Sequence, residues 1–337
     1  MQKDQEITLE KEKVLITGNA GALGRDLVAR LIDEGSYHLI GVDRRPLDDV
    51  PEGIEHLPLD LRRKSAIEVL YKLKPKSIIH LGVVRNPQRH RNKRANIYYF
   101  NLESTTQLLR LAERLSIRKL VFLSTANLYG PSSATNGILS EDAPLHGANK
   151  SPEFRDLVSL DMMMQSFFWK CPNTETIILR PCHIVGPHLR NAPSKFFRMD
   201  VIPTILGFDP LLQLIHEDDL ITAIVLSLKS NVRGIFNLAG PDTAPLSRMI
   251  RALGRPTLPV PQSLLKLFVA TSFWSRQSNF PIGEMDHLKY SCIIDTSRAE
   301  SELGFRPKRK IASIIKELKK SFDATKQLQK RSRKERA

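Results

Sequence analysis

Val14-Leu15-Ile16-Thr17-Gly18-Asn19-Ala20-Gly21-Ala22-Leu23-Gly24 is the stretch that decides the fold. An apolar run with the composition of a buried strand meets three glycines spaced by three, and the helical pattern Leu23, Leu27, Val28, Leu31, Ile32 follows at once. Glycine at those points lets the backbone approach a pyrophosphate closely. The phosphates then sit at the helix N-terminus, where unpaired N–H groups and the helix dipole favour negative charge. A glycine triplet by itself also occurs in surface turns, so its context carries the weight. A second apolar strand, His38-Leu39-Ile40-Gly41-Val42, ends at Asp43. That acid stands about 20 residues beyond the glycine loop, the distance at which a ribose-binding carboxylate is expected.

Working outward, strand and helix patterns alternate through the first 185 residues. Ser65 to Leu73 reads as helix, Ser77 to Leu81 as strand, Ile97 to Leu115 as a long helix and Lys119 to Ser124 as strand. Phe154 to Trp169 reads as helix and Glu175 to Arg180 as strand. Such alternation predicts an α/β fold, a Rossmann-type doubly wound parallel sheet with its ligand crevice at the strand C-termini. From about residue 187 proline becomes frequent and the elements shorten, which predicts a smaller C-terminal substrate lobe over 187–325, with segments returning to the sheet. The dinucleotide-binding portion spans 12–186.

Residues 306 to 337 hold +10 of the net charge of +15. Ile311, Ile314, Ile315, Leu318 and Phe322 fall at helical spacing and predict a docked last helix, whereas 326–337 has few apolar groups and reads as a basic disordered tail. The tail has the charge to contact anionic surfaces, but without interleaved aromatics it predicts no specific nucleic-acid binding. Leu264 to Trp274 is apolar and too short to span a bilayer, so core packing is expected. The absence of an apolar leader and the three cysteines Cys171, Cys182 and Cys292, without metal spacing, predict a cytoplasmic protein.

Several ordered signatures resemble the extended short-chain dehydrogenase/reductases, in particular the NAD-dependent epimerase/dehydratase group. They are the Thr17–Gly24 loop, Asp43, Asp60-Leu61, His80-Leu81-Gly82, Asn101-Leu-Glu-Ser-Thr-Thr-Gln-Leu-Leu and Leu123-Ser-Thr-Ala-Asn-Leu-Tyr129-Gly130. Leu179-Arg180-Pro181, Val185-Gly186-Pro187, Ile215-His-Glu-Asp-Asp-Leu220, Phe236-Asn-Leu238 and Asp295-Thr-Ser297 follow in the same order. The resemblance implies that Gly18, Ala20, Gly21, Ala22, Leu23 and Gly24 cradle the pyrophosphate. It implies further that Asp43 accepts hydrogen bonds from the adenosine ribose, that Asp60 and Leu61 border the adenine, and that Leu81, Gly82, Asn101, Ser124 and Pro181 complete the cofactor site. Asp43 favours NAD; Arg44 and Arg45 keep NADP possible.

In that family a tyrosine phenolate and a lysine one helical turn on carry the acid/base work, and a Ser/Thr binds the reacting oxygen. Thr125 matches the third element. The matching helix aligns Glu153 with the tyrosine and Leu157 with the lysine, and a shift of one residue gives Phe154 and Val158. Two readings follow. Either the chain is a hydride-transferring epimerase, dehydratase or reductase in which Glu153, Lys150 or His183 takes over proton transfer, or it is a catalytically impaired NAD-binding sensor or subunit. The resemblance places His183 towards a substrate such as a nucleotide sugar. Arg190, Lys195, Arg198 and the run Arg85, Arg89, Arg91, Lys93, Arg94 are candidates to meet a diphosphate. It also implies a homodimer through the helices from Ile97 and Phe154. His216 offers ligating nitrogens, but the family uses its segment to cap a helix, and no metal is assigned.

Overall fold

The computed structural model describes residues 11–84, 94–133, 137–149, 152–265 and 282–334. Its first half runs β1 (Glu12–Thr17), α1 (Ala22–Glu34), β2 (Tyr37–Asp43), β3 (Ile54–Pro58), α2 (Lys64–Leu73), β4 (Ser77–His80), α3 (Arg94–Leu115), β5 (Lys119–Leu123), β6 (Ile138–Leu139), α4 (Pro152–Lys170) and β7 (Glu175–Pro181). The second half continues β8 (His183–Val185), α5 (Ala192–Phe197), β9 (Ile202–Ile205), β10 (Leu211–His216), α6 (Glu217–Lys229), β11 (Gly234–Leu238), β12 (Thr243–Pro245), α7 (Leu246–Leu253), β13 (Thr257–Val260), β14 (Ile293–Ile294), α8 (Ser297–Ser301) and α9 (Ile311–Lys334).

Seven strands form one parallel sheet in the order β11-β7-β5-β4-β1-β2-β3. Side chains alternate between its faces as the two-residue strand period requires. Val14, Ile16, Ile79, Val121, Ile177 and Leu179 pack on one side with Leu27 and Leu31 of α1 and Leu220 and Ile224 of α6. Leu15, Ile78, Leu120, Phe122 and Ile178 pack on the other with Leu70 of α2, Leu108 and Leu111 of α3 and Leu160 and Met164 of α4. A sheet covered on both faces needs strands that are apolar throughout, and β4, β5 and most of β1, β2 and β7 are buried residue after residue. The strand order changes direction between β1 and β4, and that switch point opens the crevice.

The lobe has its own core, in which Phe196, Ile202, Leu214, Ile250, Ile314 and Leu318 meet. The strand pairs β8–β10 and β9–β13 are parallel, and β10–β12 is antiparallel. β11 and α8 belong with the main sheet.

Two boundaries differ from the sequence expectation. β3 is an added edge strand, and α9 continues as helix to Lys334 through residues that read as a disordered tail from 326. Lys, Arg and Gln are good helix formers, so backbone propensity favours helix in this stretch. Of the segment Leu264 to Trp274, Leu265 is buried in the lobe core and Leu264 is exposed; the remainder lies outside the described residues. Among the described residues no helix is long and apolar enough to cross a membrane.

Candidate functional site

At the switch point Thr17, Gly18, Gly21, Asp43, Leu61, Leu81 and Gly82 line one cleft of about 420 Å3, with Val42, Arg44, Arg45, Leu59, Val83, Val84 and Phe100. Its floor is made from absent side chains. Gly18 has φ +78°, and a Cβ there would lie 2.9 Å from both Cα and N of Gly82. A Cβ on Gly24 would lie 2.3 Å from the Gly18 carbonyl oxygen, so α1 seats directly on the loop. The loop residue Gly21 is the N-cap of α1; no side chain caps that end, and no acid occupies the first turn formed by Ala22, Leu23 and Gly24. Free N–H groups beside a backbone-walled hollow are the donor set a diphosphate needs.

Hydrogen bonds hold the floor in place. The Gly82 N–H donates to Thr17 Oγ1 at 3.1 Å, Thr17 Oγ1 lies 2.6 Å from His80 Nδ1, and His80 Nε2 lies 3.0 Å from Thr105 Oγ1. This chain is satisfied when His80 carries its proton on Nε2. Ala20 is buried, and its neighbour Asn19 donates to His56 Nδ1 at 2.9 Å, with His56 Nε2 3.2 Å from the Arg45 carbonyl. Gly41 leaves room for the Asn19 amide, which a Cβ would meet at 2.4 Å.

The far end of the cleft is rich in paired charge. Arg45 clasps Asp43 through Nε–H to Oδ1 at 3.1 Å and an Nη2 hydrogen bond to Oδ2 at 3.0 Å. Partial burial raises the Asp43 pKa, but the Arg45 hydrogen bonds outweigh it and hold the carboxyl below its usual range. Asp60 is paired in the same way with Arg62, whose hydrogen bonds lower its pKa. Phe100 from α3 lies beneath two guanidinium groups, Arg44 at 4.1 Å and Arg62 at 5.2 Å from its ring centre. Neither this stack nor the Asn19–His56 bridge is readable from local spacing, because each joins loops far apart in the chain.

Three residues expected at the cofactor serve other groups. Asn101 bonds both N and O of Val84 at 2.9 Å, and so shapes the cleft wall rather than facing the ligand. The Ser124 hydroxyl donates to Asp161 Oδ2 at 2.5 Å. Pro181 is a buried strand end paired beside Leu238. Thr125 opens the turn after β5 and accepts the Asn127 N–H at 3.3 Å, which leaves its own proton free to donate. The Tyr129 hydroxyl bonds to Asn237 Oδ1 at 2.7 Å and accepts from Arg180 at 3.1 Å, a structural role that removes it from proton transfer.

Glu153 lies on α4, with its side chain outside the described residues, as are Lys150 and Arg85, Arg89, Arg91 and Lys93; Arg94 opens α3. Phe154 and Val158 are buried. His183 packs edge-on to His287, ring centres 4.6 Å apart, beside Phe196, Phe197, Leu212 and Leu214, whereas Arg190 is exposed. Both ring nitrogens of His287 are buried without a partner. Burial lowers the His183 pKa to about 4 and that of His287 well below the usual value. The unfolded chain takes up protons on these rings near pH 6.5 and the folded chain does not, so stability is expected to fall as pH drops from about 6.5 towards 4. Urea unfolding at a series of pH values checks this, and His287→Phe is expected to flatten the decline.

Residues 14–239 match the model of the NAD dependent epimerase/dehydratase family. The chain belongs to that family. Relatives within reach include an uncharacterized protein of Mycobacterium tuberculosis, 26% identical over 301 residues that cover 88% of this chain and 80% of that one. Short-chain dehydrogenase/reductase family 42E member 1 of Xenopus laevis is 24% identical over 332 residues, 88% of this chain and 85% of its own. Among solved structures, the UDP-glucose 4-epimerase of Thermotoga maritima with UDP-glucose superposes with a TM-score of 0.72 at 18% identity, covering 93% of this chain and 99% of that one. The dTDP-glucose 4,6-dehydratase of Bacillus anthracis in complex with NAD gives 0.71 at 18% identity, covering 93% and 97%. These likenesses carry the fold of the epimerase/dehydratase family over nearly the whole chain.

Proposed function

We propose that this protein binds NAD in the β1–α1 cleft and applies hydride-transfer chemistry of the epimerase/dehydratase type to a small molecule such as a nucleotide sugar. The observation that carries the reading is the side-chain-free cradle of Gly18, Gly24 and Gly82 under the uncapped N-terminus of α1. NAD, when bound, supplies a hydride acceptor. In this reading Asp43 accepts the adenosine ribose hydroxyls, and Arg45, now paired with it, must share or release it. Arg44 and Arg45 also give NADP a counter-charge, so a weaker second use of NADP belongs to the reading. Thr125 holds a proton available to the substrate's reacting oxygen.

A second reading rests on α4. At either register the positions one turn apart are Glu153 and Leu157 or Phe154 and Val158, so the helix offers no phenol–ammonium pair for acid/base work. Losing such a group slows catalysis by about 100- to 10,000-fold, which fits a protein that binds NAD and a ligand without turning it over. Incubation with NAD and a panel of nucleotide sugars, read by absorbance of reduced nicotinamide and by product chromatography, separates the two. Turnover that Thr125→Ala reduces at least about tenfold supports catalysis. Binding with no turnover supports the sensor.

The exposed Tyr99 of α3 and Met162 and Trp169 of α4 suit a homodimer contact on this face. Sedimentation equilibrium that shows monomer alone would remove that part of the proposal.

A further inference from the structure

Glu217, the first residue of α6, is 1% exposed. Its Oε1 accepts the His188 N–H at 3.3 Å and lies 3.1 Å from His188 Nδ1, while its Oε2 is buried with no hydrogen-bond partner. A buried carboxylate oxygen without a donor is costly, and such groups are ordinarily matched by a proton, a cation or a metal. Among the described residues no lysine or arginine forms an ion pair with it at contact distance, although the charge of Arg198 acts on it from farther off. Arg198 donates instead to the Pro187 carbonyl at 3.0 Å, which fixes the loop that carries His188. Gly186 lies directly beneath the carboxylate, since a Cβ there would stand 2.4 Å from Oε2.

A third ligand completes the group. Asp26, in the second turn of α1, brings a carboxylate oxygen to the same place, and one atom each of Asp26, His188 and Glu217 lie within 4.8 Å of one another. Two carboxylates and one imidazole are a donor set suited to a divalent transition-metal ion such as zinc. Tetrahedral ligation at about 2.1 Å sets donors about 3.4 Å apart; His188 Nδ1 and Glu217 Oε1 already stand 3.1 Å apart, and the widest pair has at most about 1.4 Å to close. The His188 side chain is 70% exposed, which leaves an entry path from solvent.

We propose that Asp26, His188 and Glu217 form a divalent-cation site with an open fourth position, tying α1 of the nucleotide-binding portion to the Gly186–Arg190 loop and α6. His216, the histidine that draws attention in the sequence, takes no part. Its Nδ1 accepts the Asp218 N–H at 3.2 Å and caps α6. The three ligands come from three separated segments, which is why no local spacing announces them. The site stands on these residues alone and is independent of whether the protein turns over a substrate.

The test is titration of EDTA-stripped, full-length protein with Zn2+ by calorimetry and with Co2+ by visible absorption, together with thermal melting. One ion per chain is expected, with a tetrahedral Co2+ spectrum and a raised melting temperature. Glu217→Gln and His188→Ala are each expected to weaken binding by about 100-fold or more, and Asp218→Asn to leave it unchanged. His188→Ala and Asp26→Asn alter less buried side chains, so they decide the matter even if Glu217→Gln fails to fold. No binding, or binding that His188→Ala and Asp26→Asn leave intact, overturns the proposal and reduces the trio to a hydrogen-bonded latch.

Discussion

Gly18→Ala is expected to weaken NAD binding by more than about tenfold, the loss that 1.4 kcal/mol produces. Two costs coincide at this residue. Its φ of +78° is a conformation that side chains other than glycine adopt with strain, and its Cβ would enter the space of the Gly82 backbone. Neither neighbour is a flexible side chain able to move aside. Relief requires the loop to retreat from β4 or to flip, and either movement disturbs the surface on which the diphosphate rests. Gly35 provides the control. It also has positive φ, +65°, at the C-cap of α1, but a Cβ there meets nothing closer than 4.0 Å and lies at the opposite end of the helix. Gly35→Ala is expected to cost about 1 kcal/mol of stability and to leave NAD affinity unchanged. Calorimetric titration of both variants checks the pair, and equal affinities for Gly18→Ala and the parent would remove the loop from the binding site.

The second large effect is expected from Asp161→Asn, which should destabilise the protein by about 3–5 kcal/mol. Asp161 and Arg180 are 0% and 1% exposed, and their fork closes at 2.6 Å and 3.1 Å. Asp161 also accepts from Ser124 and from Gln165 at 2.8 Å, and Arg180 donates to Tyr129 and to the Glu141 carbonyl at 2.9 Å. Removing the carboxylate charge leaves a buried guanidinium uncompensated and presents it with an amide N–H in place of an acceptor. At about 2–4 °C per kcal/mol the melting temperature should fall by at least about 6 °C. The double variant Asp161→Leu/Arg180→Met is expected to recover part of that loss, because burying neither charge avoids both desolvation penalties. An Asp161→Asn protein that melts with the parent would show that the pair is dispensable. The pair is hydrogen-bonded to Ser124, the residue before Thr125, so the same variant should also loosen the turn that presents the Thr125 hydroxyl.

The sheet and the cradle were legible because their causes are local. Val14 to Ile16, Ile78 to Ile79 and Leu120 to Leu123 are apolar on both faces, and glycine at 18, 21 and 24 between such a strand and a helix points to close backbone approach. Asp43, Leu61, Leu81 and Gly82 meet at the cleft because the strand order of this topology brings the ends of β2 and β4 beside β1, with β3 next to β2. β3 escaped notice since an edge strand is half solvated, and Ile54-Glu55-His56-Leu57-Pro58 buries only its first residue. Asn101 and Ser124 spend their side-chain hydrogen bonds on Val84 and Asp161, because a polar side chain near a site serves either a ligand or the wall behind it. Only the positions of Val84 and Asp161 decide between those uses. The Arg44–Phe100–Arg62 stack, the His183–His287 contact and the Asp26–His188–Glu217 trio all join residues from separate elements. Such contacts exist in the packing and have no counterpart in spacing along the chain.

The hollow under α1 is expected to accept the diphosphate of NAD. Isothermal titration of NAD into the full-length folded protein tests it most directly. The account predicts saturable heat at one NAD per chain, competed by ADP-ribose, which shares the diphosphate and adenosine ribose but lacks the nicotinamide ring. Absence of heat with both NAD and NADP, in protein shown to be folded by circular dichroism, would contradict it.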